Sequence, residues 1–261
     1  RDIPPDLTLP PIGDGEPAPG RRARRQLPEY RGTEVHHLLY LPEDWRPGER
    51  YPVLVEYPGN GPCHVAPMND YSSGLVEDCP LGYGISAGRG FIWTALPFVS
   101  ADGQQNQSNW WGDAEATVRY CLGAVREICA EFGGDADAVI LAGFSRGALA
   151  CNFIGLRDDE IAGLWRAFIA HSHYDGVKEW IYYPGSDRAS ALARLRRLHG
   201  RPVFISHELS TADTREYLAA TEIIAPFTFL DLPYPNHRAD WVLRPIPERE
   251  VLREWVRACL S

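Results

Sequence analysis

Apolar residues in this chain come in short bursts, separated by polar turns rich in glycine and proline, and the bursts alternate between two periods. Runs that suit strands fall at 34–41, 51–57, 91–97, 138–142, 167–170, 202–206 and 227–232. Between them the spacing turns helical. Val118, Cys121, Leu122, Val125, Ile128 and Phe132 recur at three- and four-residue steps behind Asp113, a good helix cap, and Gly133-Gly134 stops the run. Further helices are predicted after Gly147 and near 189–198, 211–220 and 248–260. Strands alternating with helices give a mostly parallel central sheet with helices on both faces, an α/β architecture. Residues 1–33 lack either period. Rich in Pro and Gly, with a basic knot at Arg21, Arg22, Arg24 and Arg25, they read as an extended arm whose knot is solvated or salt-bridged. That leaves 34–261 as one domain, with an insert at about 171–200.

The central burst carries the chemistry. The buried-strand run 138–142 leads into Gly143-Phe144-Ser145-Arg146-Gly147, and an apolar helical run follows (Ala148, Leu149, Ala150, Phe153, Ile154). A G-x-S-x-G pentapeptide alone recurs by chance; between a strand and a helix it marks a turn that lifts its serine to the sheet edge. The turn forces the serine into a strained backbone angle and needs small neighbours, hence the two glycines. Ser145 is therefore the candidate acyl-transfer nucleophile.

Composition narrows the setting. With 261 residues and 44% hydrophobic content the chain can bury a sizeable core, and a net charge of −9 argues against nucleic acid or anionic membrane as a partner. No apolar run approaches the ~18 residues that span a bilayer. The start at Arg1 and six cysteines lean towards a secreted or periplasmic protein, with a cytoplasmic one as the alternative; Cys63 and Cys79 are the expected disulfide pair. No C-x-x-C spacing suggests zinc, and no cofactor or metal is expected.

Tyr40-Leu-Pro-Glu with Pro47-Gly, Tyr51-Pro-Val-Leu-Val, the glycine turn 58–61, the serine pentapeptide and a late histidine together resemble the α/β-hydrolase superfamily over about 34–257. Within it the chain is similar in flavour to secreted polysaccharide esterases and polyhydroxyalkanoate depolymerase-like esterases. The resemblance implies an α/β-hydrolase fold and the order serine, acid, histidine. His237, in the loop after the last strand, is the implied base. For the acid three residues stand open: Glu208, directly beyond the strand at 202–206; Asp213, which also fits a helix-capping spacing from Ser210; and Asp175, after the strand before. Two amides would face the oxyanion, one from Arg146 and one from Gly59 or Asn60, although Tyr57-Pro58 stands where relatives carry His-Gly. Glucuronoyl esterases also place an arginine after the serine, so the Arg146 guanidinium is a candidate for holding the oxyanion and a hint towards uronoyl esters.

The loop 100–112 ends in Trp110 and Trp111 after a run of amides, a plausible carbohydrate platform in which one tryptophan is expected to anchor the core. His171-Ser-His-Tyr-Asp175 resembles a metal motif of metallo-β-lactamase-like hydrolases, but its next histidine is replaced by Gly176. A substrate-contacting loop with His173 facing the site is expected instead. These residues predict a serine esterase acting on a small-molecule or polysaccharide ester, with a peptidase or carboxylesterase on the same triad as the alternative. A binding protein with a decayed site would lack the retained serine, histidine and acids.

Overall fold

A computed structural model describes residues 3–13, 15–180 and 182–261. Among these, nine strands form one sheet, in spatial order β1 (Ile12–Gly13), β2 (Arg22–Arg25), β3 (His37–Tyr40), β7 (Ile92–Ala95), β4 (Tyr51–Tyr57), β8 (Gly134–Phe144), β9 (Ala167–His171), β10 (Val203–Glu208) and β11 (Phe227–Leu232). From β7 to β11 every pairing is parallel; β3 runs antiparallel to both its neighbours. Along β8 the side chains alternate. Val139 and Leu141 enter one core layer, and Ile140, Ala142 and Phe144 the other.

The layer on Val139 is closed by α2 (Ala114–Phe132), α3 (Arg146–Phe153) and α5 (Arg188–Leu195), through Val125, Leu149 and Leu195. The opposite layer is closed by α1 (Leu81–Ser86) and α7 (Pro247–Leu260), through Ile85, Leu252 and Val256. Two short helices, α4 (Asp159–Ala162) and α6 (Ala212–Ala219), complete the set. Asp113 caps α2 as expected, its side chain accepting from the Ala116 amide, and Gly133 ends that helix at φ 78°.

The described residues of the arm, 3–13 and 15–33, pack on the domain. Their strands β1 and β2 extend the sheet beyond β3, and Ala23 and Leu27 are buried. The basic knot is bound within the chain: Arg22 donates to the Pro10 and Glu77 carbonyls, Arg24 pairs with Glu77, and Arg25 pairs with Glu127. The stretch 62–89, which carries neither period in the sequence, holds a hairpin of β5 (Cys63–Val65) and β6 (Asp70–Ser72) followed by α1. The expected Cys63–Cys79 bridge does not form. Both are free thiols, Cys63 in the hairpin with its Sγ on the Asn60 carbonyl, and Cys79 buried just before α1.

Candidate active site

Parallel strands deliver their loops to one edge, and there β8, β9, β10 and β11 bring their successors together. Ser145 stands between β8 and α3 with φ 54° and ψ −115°, a conformation an L-residue holds only under strain. The flanking glycines have no alternative. A Cβ on Gly143 would lie 2.1 Å from the Gly147 backbone, and one on Gly147 would lie 2.1 Å from the Tyr57 carbonyl oxygen. The Ser145 amide donates to the His171 carbonyl at 2.9 Å, which ties the turn to β9.

His237 follows β11, and its Nε2 lies 3.0 Å from Ser145 Oγ. Its Nδ1 meets Glu208 Oε1 at the end of β10. Of the three candidate acids, only Glu208 reaches the histidine. Asp213 is exposed on the first turn of α6, and Asp175 is locked in a buried pair with Arg194, 2.8 Å away. The capping spacing from Ser210 to Asp213 is not used as a box either: Thr211 is the cap residue, and Asp231 holds its amide and hydroxyl at 2.7 and 2.6 Å. Burial works against charge on Glu208, but hydrogen bonds from His237 and Ser172 outweigh it and hold the carboxyl down at about 2. The group is thus an anion facing the imidazole, able to fix its tautomer and stabilise its protonated form.

Two further residues belong to this arrangement and left no mark in the sequence pattern. Ser172, at φ 82°, donates to Glu208 Oε2, and its oxygen lies 3.0 Å from His237 Nδ1. Asp70 of β6 reaches across from the hairpin, accepting from the His237 amide at 2.8 Å and from Asn236 Nδ2 at 3.2 Å. A serine beside a strand end and an aspartate in a hairpin are too common for spacing to single them out.

The Arg146 amide, at the first position of α3, has no partner within the helix. Among the described residues the amides of Gly59 and Asn60 also have no acceptor. Gly59 packs so tightly that a Cβ would sit 2.9 Å from the Phe144 ring. The Arg146 guanidinium, by contrast, is not offered to the site. It lies over the Phe98 ring at 4.0 Å and donates to the carbonyls of Gln107, Trp110 and Gly74 at 3.1, 2.7 and 3.4 Å. Buried against its own charge, it clamps two loops; the expectation that it holds an oxyanion, and with it the uronoyl hint, is withdrawn.

The two tryptophans separate as expected. Trp111 is buried and stacked on Phe153 at 4.0 Å, while half-buried Trp110 packs against Trp180 and Tyr183 of the insert. The segment 171–175 divides too. His171 is fully buried between Ser206 Oγ and the Arg238 carbonyl, so it cannot touch a substrate, but His173 lies 5.3 Å from the His237 ring. Burial pushes both imidazoles down to about 4, so both are neutral at pH 7.

No protein-family model matches the sequence, and neither does any curated protein. Solved structures do match in shape. A thermostable esterase superposes with TM-score 0.54 at 16% identity over 91% of this chain and 62% of that one. Thermogutta terrifontis esterase 2, phosphorylated by paraoxon, gives 0.55 and 16% over 87% of this chain and 90% of the other. Pyrococcus horikoshii acylaminoacyl peptidase gives 0.57 and 14% over 91% of this chain but only 41% of its own. The chain thus spans less than two thirds of the thermostable esterase and of the peptidase. The parallel sheet, its two helical layers, the serine turn after β8 and these superpositions establish the architecture: the chain has the α/β-hydrolase fold.

Proposed function

We propose that the protein is a serine hydrolase that cleaves carboxylic esters through an acyl-enzyme. The observation that carries this reading is the continuous relay from Ser145 Oγ to His237 Nε2, and from His237 Nδ1 to Glu208, set on a strained turn. In the proposed reaction Ser145 Oγ bonds to the ester carbonyl carbon as its proton passes to His237 Nε2. The resulting oxyanion is met by the Arg146 amide and one from Gly59 or Asn60. The carbon–alkoxy bond then breaks, and the alcohol leaves with the proton from His237. Water repeats the sequence on the acyl-enzyme and frees Ser145. Glu208 stays ionised throughout, and Ser172 and Asp70 hold the acid and the base in place.

Esterases among the superposed structures support this class, and Trp110 with Tyr183, Gln107 and Asn109 around a recess of about 460 Å³ fits a carbohydrate-linked ester. The peptidase superposition favours a second reading, amide cleavage on the same three residues. Labelling with a fluorophosphonate probe tests the first step. The parent protein is expected to label and Ser145→Ala to be silent; an unlabelled parent sinks the proposal. Parallel turnover of a 4-nitrophenyl ester and an aminoacyl-4-nitroanilide separates the readings, since a peptidase would favour the anilide.

A further inference from the structure

A second recess, of about 280 Å³, shares no lining residue with the one at Trp110. At one end its wall is Gly59, Phe144 and His237; Ser145, the next residue of the turn, forms no part of it. Beyond the site the wall is mixed, with Ser72, Ser73, Asp78, Arg238 and Asp240 beside five apolar residues: Leu9, Tyr71, Leu75, Pro80 and Leu243. These come from four separate places, the N-terminal arm, the hairpin and its exit, the start of α1, and the short 3-10 turn Asp240–Leu243 after His237.

The arm's share is fixed in position. Asp6 and Leu7 both donate their amides to the Leu243 carbonyl, at 3.1 and 3.2 Å. Asp6 forms a two-pronged pair with Arg249 of α7 at 2.6 and 3.0 Å, and Arg22 Nε holds the Pro10 carbonyl at 2.7 Å. Leu9 lies between these anchors and packs on the core layer that Phe144 also joins. A segment without its own core is thereby bound at both ends over the recess.

We infer that this recess is the acyl pocket of the proposed esterase, walled by the N-terminal arm through Leu9, and that it takes an apolar acyl group several carbons long in preference to acetyl. The inference rests on the serine hydrolase reading. Its size falls just under the range of pockets that enclose a whole drug-sized ligand, so it suits one part of a substrate, and an acetyl methyl would leave most of it empty. Its five apolar residues reward each methylene that leaves water. The polar half of the substrate is matched by the amides and Trp110 of the first recess. Leu9 and Leu75 then set the length that can enter.

The test varies the acyl group at constant leaving group: 4-nitrophenyl acetate, octanoate and 3-phenylpropanoate, compared by kcat/KM. The parent is expected to favour the two long esters over acetate at least about tenfold, and Leu9→Trp to reduce that ratio at least about tenfold by filling the pocket. Leu75→Trp, on the hairpin side, provides the same readout should Leu9→Trp fold poorly. A parent that prefers acetate, or a ratio unmoved by both variants, overturns the inference. So does a variant that instead changes discrimination between phenyl and naphthyl acetates, because the recess would then hold the alcohol. In each of these cases the parent still labels with fluorophosphonate; loss of labelling identifies failure of the underlying reading.

Discussion

Glu208 and Asp213 are separated in the sequence by one short turn, yet they meet different solvents. Glu208 ends a buried strand with the His237 imidazole and the Ser172 hydroxyl on its two oxygens, while Asp213 faces water. A neutral amide at 208 could neither fix the imidazole tautomer nor stabilise its charge, so Glu208→Gln is expected to lower kcat by about two to four orders of magnitude. Asp213→Asn should leave turnover of the same ester within about twofold, and a reversed result would put the acid elsewhere. The sequence offered Glu208 beside Asp213 and Asp175 because it stands directly beyond the strand at 202–206. It could not place Ser172 or Asp70, whose contribution comes from contacts between residues far apart in the chain.

At the scale of elements, the legible parts were those whose burial is periodic. The strands β3, β4 and β7 to β11 and the helices α2, α3 and α7 were visible because one or both of their faces enter a core layer. The strands β1 and β2 were not, since Arg22–Arg25 offers charge where a pattern would need apolar residues, and its arginines are satisfied by distant glutamates and carbonyls. Helix α1 was hidden for a different reason. Its sequence, Leu-Gly-Tyr-Gly-Ile-Ser, has poor helix propensity, but Cβ atoms at Gly82 and Gly84 would lie 2.0 Å from the Trp93 ring and 2.3 Å from Val242. Its first amides are taken by Glu56 of β4, at 2.9 Å each. The Arg146 side chain was misread because an arginine beside a nucleophile suggests chemistry, whereas here it ties the loops at Gly74 and 107–110 to α3. Arg146→Met strands three carbonyls and is expected to cost at least about 2 kcal/mol and to expose the 100–112 loop to limited proteolysis. Unchanged urea stability and unchanged cleavage would remove the clamp from the account.

For the molecule as a whole, buried titratable groups set the response to acid. His37 and His171 are fully buried and held neutral, down to about 3 and about 4 from the usual 6.5, chiefly by burial. Their contribution is complete above pH 6.5 and is lost as pH falls towards 4, because only the unfolded chain takes up the protons. Glu56 acts in the opposite sense. Burial raises it to about 7, so its contribution is present below its usual 4.5 and fades as pH rises through 7. His173, also held down to about 4, adds a third proton; between pH 5 and 6 three protons gained on unfolding are offset by one released, and stability should rise with pH by roughly 2–3 kcal/mol per unit. Urea titrations at pH 5.0, 5.5 and 6.0 measure that slope, and a flat or falling line would refute it. The backbone at Ser145 adds a cost of another kind. A residue with a side chain gives up roughly 1–3 kcal/mol to sit at such angles, and glycine alone would sit there at ease. Under selection for durability alone, position 145 would drift to glycine, and the serine that remains there is evidence that the chain has been kept for what it does.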